Sequence, residues 1–408
     1  MESVVGKWAR RGVVAAAAAA IAATGVALTV PATAAQNVAS DQVLGAGQAG
    51  SLAQVPWGKV GPGWALAMYS ASQGGEGVRP ANGPSTLYLV NPAGGRYSLF
   101  TWPARSPRSR WSLLDWSGDV SRALFTSGPG FGSTAPEHVY QLQLRTGAVT
   151  GFTLPARVSA AGYTRPDGLN ILAEKGTATS LNSKITLQRY DLAGRLQKTL
   201  ATVTGLSGTV TGLSGVAYQP AGAELAAGSL RGLELISNAG GVIRSLPVPG
   251  VSEGCNAVRW WTPGTILASC STEPVSAWPR LWLVPASGAR PTALTPVRTS
   301  GFDLGDFNAW QLSSGRYLDG LGACGTLVIG RQPAHGPEQM IRVPGAASSL
   351  IVNTTSSRLL VERINGCMPG VSLVWFNPAT RALTVAIPVR GHQDGVVGAV
   401  PYFVAGKF

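Results

Sequence analysis

Short runs of β-formers recur along the chain at a nearly constant interval. Leu87-Tyr88-Leu89-Val90 is the first, and runs of the same character begin at Val139, Ile185, Leu233, Leu281, Leu327 and Leu373. Successive starts are 46 to 52 residues apart. Seven units of ~40–50 residues, each with room for four short strands, predict a propeller of radially arranged sheets.

Two further markers run in phase with the first. About 20 residues ahead of most of these runs stands an aromatic residue with a turn beside it: Trp116, Tyr163, Tyr218, Trp261 and Trp310. The turns carry Pro, Asp and Gly, as in Thr164-Arg165-Pro166-Asp167-Gly168 and Thr262-Pro263-Gly264. Each aromatic is expected to end a strand and pack between blades, with the turn residues fixing a hairpin. In the seventh unit Asn353-Thr354-Thr355-Ser356-Ser357 takes this place without an aromatic. A second turn follows each run, as in Asn91-Pro92-Ala93-Gly94-Gly95 and Asp191-Leu192-Ala193-Gly194.

The first unit has strand-like segments at 64–69, 86–90 and 96–101 but lacks an innermost strand. The stretch 396–404 near the C-terminus offers one, which would leave no free sheet edge at the join. The expected fold is therefore all-β: a seven-bladed β-propeller with four antiparallel strands per blade, the ring closed by the C-terminal strand joining the first blade.

The N-terminus bears on the compartment. Lys7, Arg10 and Arg11 precede an uncharged, Ala-rich run over 12–30, and Ala32-Thr33-Ala34 follows Pro31. A basic region, an apolar region and a small-x-small site in that order make a signal peptide, with cleavage after Ala34 or Ala35. An uncleaved anchor is the alternative, since the run approaches the ~20 residues that span a bilayer. Arg10-Arg11 leaves both the general and the twin-arginine export routes open. The division expected is 1–34 signal peptide, 35–58 linker or N-terminal extension, and 59–408 propeller. Beyond the leader no apolar run is long enough to span a membrane, and the expected state is a monomer.

Composition supports many strands and tight turns, with 53 Gly and 28 Pro among 408 residues. Charged residues make up 12%, about half the usual ~25%. The net charge is +13, of which the leader supplies +2. A basic surface outside the cell suits an anionic cell-wall polymer, a lipid headgroup or an acidic protein. An Ala/Gly/Arg-rich composition is also what a GC-rich genome produces. No nucleic-acid motif is present.

Four cysteines in an exported chain favour two disulfides. Cys255 and Cys270 lie equally far from the turn centred between Thr262 and Pro263, so they should face each other on adjacent strands, within disulfide reach. Cys324 and Cys367 are 43 residues apart, close to one repeat, and would staple neighbouring blades. The close Cys pairs of a zinc site are absent.

The pattern of aromatic, Pro-Asp-Gly turn, strand, Leu-Tyr-Leu-Val-like strand and Gly turn resembles the TolB-type, WD40-like propeller repeat. The resemblance covers residues 61 to 404 and implies an exported bacterial member, actinobacterial-looking in composition. No unit carries the full aromatic-Ser-Pro-Asp-Gly motif; the turns at 164–168 and 261–264 come closest. Neither the N-terminal domain of TolB nor the hydrolase domain of the peptidase relatives is expected to have a counterpart in these residues. Their roles therefore do not carry over.

Chemistry is sparse. The sequence has three His and no Gly-x-Ser-x-Gly elbow, His-Glu-x-x-His, EF-hand or phosphate loop. It therefore offers no catalytic residue, metal site or cofactor. Candidate binding residues fall in the loops between blades. Asp303, Asp306, His392 and Asp394 could form an acidic mouth for a cation or a basic group. Arg105, Arg108 and Arg110 could dock an anion. Trp57, Trp102, Trp111, Trp260 and Trp278 serve either rim stacking or inter-blade packing. The leading expectation is an exported, non-catalytic scaffold that binds a protein or ligand in the cell envelope or medium. The alternative is a lyase or glycosidase with its site in the central channel.

Overall fold

Second strands such as Ala65–Ser70 are apolar at nearly every position, because a neighbouring blade covers each face; all six residues of that strand are buried. Outer strands such as Val242–Pro247 are mostly exposed. The computed structural model describes residues 42–71, 83–128, 133–176, 183–204, 215–272, 278–297, 305–320, 328–333, 338–365, 370–390 and 394–402. The expected leader, Asp303, Cys324, Cys367 and His392 lie outside these residues.

The strands form seven sheets, the blades of one β-propeller. Blade 2 shows the plan: Ser112–Trp116 innermost, then Arg122–Ser127, Glu137–Gln143 and Val149–Leu154, each antiparallel to the last. Blades 3 to 7 repeat this order. Six of the seven predicted runs fall in third strands from Ser85–Val90 to Ser372–Phe376. The run starting at Leu327 is described from residue 328 and continues into Ile329–Gln332.

The hydrophobic core lies between blades. Leu66 and Met68 of blade 1 pack with Trp111, Trp116 and Phe125 of blade 2. The Trp111 and Tyr140 rings stack at 4.2 Å and Trp102 meets Trp111 at 6.0 Å. Polar side chains then pin one blade to a carbonyl of the next. Gln141 Nε2 donates to Leu192 O at 2.7 Å, and Arg189 Nη1 to Asn238 O at 3.1 Å. Trp260 Nε1 donates to Ala217 O at 3.1 Å, and Trp375 Nε1 to Asn91 O at 2.9 Å. Each such bond contributes about 1 kcal/mol net, but a severed one leaves a buried group unpaired. Blades 2 and 3 approach so closely that a Cβ at Gly118 would collide with the carbonyl oxygen of Pro166.

Blade 1 is made from both parts of the chain. Gly395–Pro401 lies innermost and pairs antiparallel with Ala65–Ser70, from Ala65 opposite Pro401 to Ser70 opposite Gly395. The expected closing strand is there, and Pro401 ends it, as a residue without an N–H does. Trp64 O accepts from Tyr402 N at 2.8 Å and from Asn353 Nδ2 of blade 7 at 3.0 Å, so one carbonyl ties the join to its neighbour. The stretch expected as a linker holds a fifth strand. Ala49–Ser51 runs parallel along Arg96–Trp102 at the outer edge of blade 1. Leu44 N donates to Tyr97 Oη at 3.0 Å and Asn91 Nδ2 to Leu44 O at 2.9 Å, which fixes that segment.

Cys255 and Cys270 form a disulfide between register partners on adjacent strands of blade 5, with Cα atoms 4.0 Å apart. This is the pairing expected from the turn.

Two outcomes follow from this architecture. Deleting residues 395–408 removes the innermost strand of blade 1. It should lower the melting temperature by more than about 10 °C in a calorimetric scan; melting at the parent temperature would contradict the closure. Replacing Cys255 and Cys270 together by Ser should cost about 3 kcal/mol for a loop of this length, read from the urea midpoint.

Candidate functional site

The inner strands line the central channel, and in six of seven blades their pairing with the second strand is interrupted by a β-bulge or irregularity; blade 4 is the exception. A bulge adds a residue and re-aims the side chain beside it. At three of these sites the side chain accepts a hydrogen bond from the next backbone N–H. Asp115 accepts from Trp116 at 2.8 Å, Asn308 from Ala309 at 2.9 Å and Asn353 from Thr354 at 2.8 Å.

Asp115 does more. Its Oδ2 accepts from Tyr163 N at 2.7 Å and its Oδ1 from Arg165 Nη2 at 2.7 Å, both on blade 3. Arg165 is buried and also donates to Tyr163 O. The carboxylate is thus taken up by the blade 2–3 seam.

In blade 5 the residue past the bulge is Arg259. Its guanidinium sits 3.8 Å from the ring centroid of Trp310 on blade 6 and 5.5 Å from that of Trp261. Trp310 Nε1 donates to Asp319 Oδ2 at 3.0 Å, and Asp319 Oδ1 accepts from Ile351 N of blade 7 at 3.0 Å. A cation, a ring and a carboxylate therefore link three blades. Burial lowers Arg259 to about 9, with the Asp319 charge opposing. Burial raises Asp319 to about 7 against its hydrogen bonds and the Arg259 charge. Glu362 on blade 7 is raised to about 7 by burial and then by the Asp319 charge.

Three acidic residues on second strands escaped the sequence reading. Glu174, Asp319 and Glu362 each lie on a second strand, two residues beyond Leu172, Tyr317 and Leu360. Those three residues pack against the following blade, so strand alternation turns the acids the same way. Burial raises Glu174 to about 7 as well.

Of the expected acidic mouth, Asp306 and Asp394 are described, on blades 6 and 1. Asp306 opens the inner strand of blade 6 and is 1% exposed; its carbonyl accepts from Ser269 Oγ at 3.0 Å. Asp394 precedes the inner strand of blade 1 and accepts from Tyr69 Oη at 3.3 Å. Burial, then the charge and hydrogen bond of Asp394, push the Tyr69 phenol up to about 12. Arg105 and Arg108 are exposed between blades 1 and 2, where Arg108 lies 5.6 Å from the Trp111 ring centroid. Arg110 ends the short 3-10 turn Pro107–Arg110 beside them. Of the weighed tryptophans, Trp102, Trp111 and Trp260 are buried in seams, Trp57 carries Arg145 at 5.2 Å, and Trp278 is 36% exposed. Among the described residues no group of three or more His, Cys, Asp or Glu could hold a metal ion.

No protein-family model matches the chain, and no curated protein matches it. Among solved structures it resembles a prolyl endopeptidase at 12% identity and a TM-score of 0.50, over 82% of this chain and 50% of that one. It also resembles the β-propeller domain of the Trilobed protease from Pyrococcus furiosus, at 10% and 0.45 over 80% and 95% of the two chains. A structure assigned as TolB from Agrobacterium tumefaciens gives 12% and 0.38 over 84% and 99%. The chain spans half the length of the prolyl endopeptidase it matches. At 12% identity the likeness to the prolyl endopeptidase is one of fold alone, and the seven sheets of four or five strands themselves make the chain a β-propeller.

The seam network makes one contrast measurable. Asp115→Ala removes the carboxylate that faces the buried Arg165 guanidinium and should cost about 3–5 kcal/mol in urea denaturation. Arg195→Ala, at the exposed Arg195–Asp191 pair, should leave the midpoint unchanged.

Proposed function

We propose that the chain is an exported, non-catalytic scaffold that binds a protein or an anionic cell-wall polymer in the cell envelope or medium. The observation that carries this reading is where the channel carboxylates go. Asp115 and Asp319 are hydrogen-bonded across seams, where the ring uses them to hold blades together, and Asp394 is taken up by Tyr69 within blade 1. The leader-like N-terminus and the Cys255–Cys270 disulfide support an oxidising compartment. The excess of basic residues supports an anionic partner, and the exposed Arg105 and Arg108 with Arg110 are the surface proposed to meet it. A lyase or glycosidase needs an acid pair that substrate can reach. Asp319, which lies close enough to Glu362 to raise it, is 1% exposed.

Two measurements test the proposal. Protein secreted by the producing cell should begin at Ala35 or Gln36 by N-terminal sequencing; a retained leader would contradict cleavage. The mature protein should sediment with purified cell walls at about 50 mM NaCl and be released at about 500 mM, as screening weakens exposed charge contacts. Replacing Arg105, Arg108 and Arg110 together by Ala should abolish sedimentation. Release of soluble sugar from the walls would favour the enzyme.

A further inference from the structure

Glu174 stands in an unusual place for a carboxyl group. It is 6% exposed and has no hydrogen-bond or ion-pair partner among the described residues. Asp319 by contrast accepts a backbone N–H from the next blade, as does Glu137 of blade 2, whose Oε2 accepts from Ala160 N at 2.7 Å. Glu174 instead borders a small, partly open pocket of about 10 Å³ in the blade 3–4 seam, walled by Ile185, Leu187, Val203 and Val216. That is the size of one water molecule, but the walls supply no polar side chain besides Glu174 itself. Blade 4 is also the blade without an inner-strand bulge, and its inner strand, Val216–Tyr218, is only three residues long.

We propose that Glu174 is a proton-operated latch on the blade 3–4 seam. Neutral, its carboxyl sits in the apolar pocket and the seam stays shut. Ionised, it is poorly solvated between these apolar walls, so charge is accommodated by more water entering between Val216–Tyr218 and the strand Asn170–Lys175. The charged and titratable groups on the surrounding elements are Lys175 on its own strand, Tyr163 on the inner strand of blade 3, Lys184, Arg189, Tyr190 and Asp191 on the third strand, Lys198 on the outer strand, and Tyr218 and Glu224 on blade 4. None of them contributes to the raised pKa of Glu174, whose cause is burial alone. The sign follows from linkage. A carboxyl held above its unfolded value favours the closed seam fully below about pH 4.5, and that contribution is lost as pH rises toward about 7.

The test is hydrogen–deuterium exchange of the mature protein from pH 5 to 8, corrected for the intrinsic pH dependence of exchange. Protection of Val216–Tyr218 and Glu224–Ser229 should fall by up to about a hundredfold across this range. It should fall far less in Ser348–Thr354 of blade 7 when Asp319 and Glu362 are replaced by Asn and Gln in the same background. Glu174→Gln, a neutral isostere, should hold the blade 3–4 protection at its acid value throughout. Blade 3–4 protection that does not change with pH in the parent would overturn the proposal. So would an unchanged pH response in Glu174→Gln. If Glu174→Gln fails to fold, Glu174→Leu gives the same readout, because only the loss of an ionisable group is required.

Discussion

Six residue pairs between Ala65–Ser70 and Gly395–Pro401 hold the two ends of the propeller in one sheet. Without them the inner edge of blade 1 would carry a row of unpaired backbone groups. The core between blades 7 and 1, where Val396 meets Val352, Leu360 and Trp375, would also lose a wall. In a ring each blade is held by two neighbours, so one open seam removes support from both sides. The bond from Asn353 to Trp64 O and that from Trp375 to Asn91 O show the join using the same device as the other seams.

That device is a division of labour between apolar area and a few directed polar contacts. Seam burial supplies the driving force, while single side-chain bonds fix the angle at which blades meet. One set of polar contacts sits on third strands, as at Gln141, Arg189 and Trp375, and a second lies near the channel, where bulged inner strands turn Asp115, Arg259, Asn308 and Asn353 out of regular register. Buried charge is tolerated there because it is shared between blades, as in the Asp115–Arg165 pair and the Arg259–Trp310–Asp319 chain. Glu174 is the contrasting case of a carboxyl with burial and no partner.

Much of this was legible in the sequence, for a physical reason. A third strand packed on both sides must be apolar, and its turn must be tight, so Leu-Tyr-Leu-Val and its equivalents repeat with the blade. The pairing of Cys255 with Cys270 was readable because an antiparallel hairpin has one register once its turn is placed. The fifth strand was hidden because Ala49–Ser51 carries no β-forming side chain and is held by bonds from Gln48, Leu44 and Asn91. The facing of Glu174, Asp319 and Glu362 was hidden because second strands are buried on both faces and lack the alternation that would reveal which side a residue takes. Bulges compound this, since one extra residue inverts the alternation beyond it.

The closure is tested most directly by a covalent probe across the join. Ala67 and Ala399 are register partners on the two strands, so their Cα atoms fall within the ~4.4–6.8 Å that a disulfide spans. In the variant carrying Ala67→Cys and Ala399→Cys, mild oxidation followed by peptide mapping should recover a linked pair joining the first and last strands of the propeller. Full recovery of the linked peptide, with a raised melting temperature, is the predicted result. Cysteines at 67 and 399 that stay reduced while the protein remains folded would contradict a ring closed at blade 1.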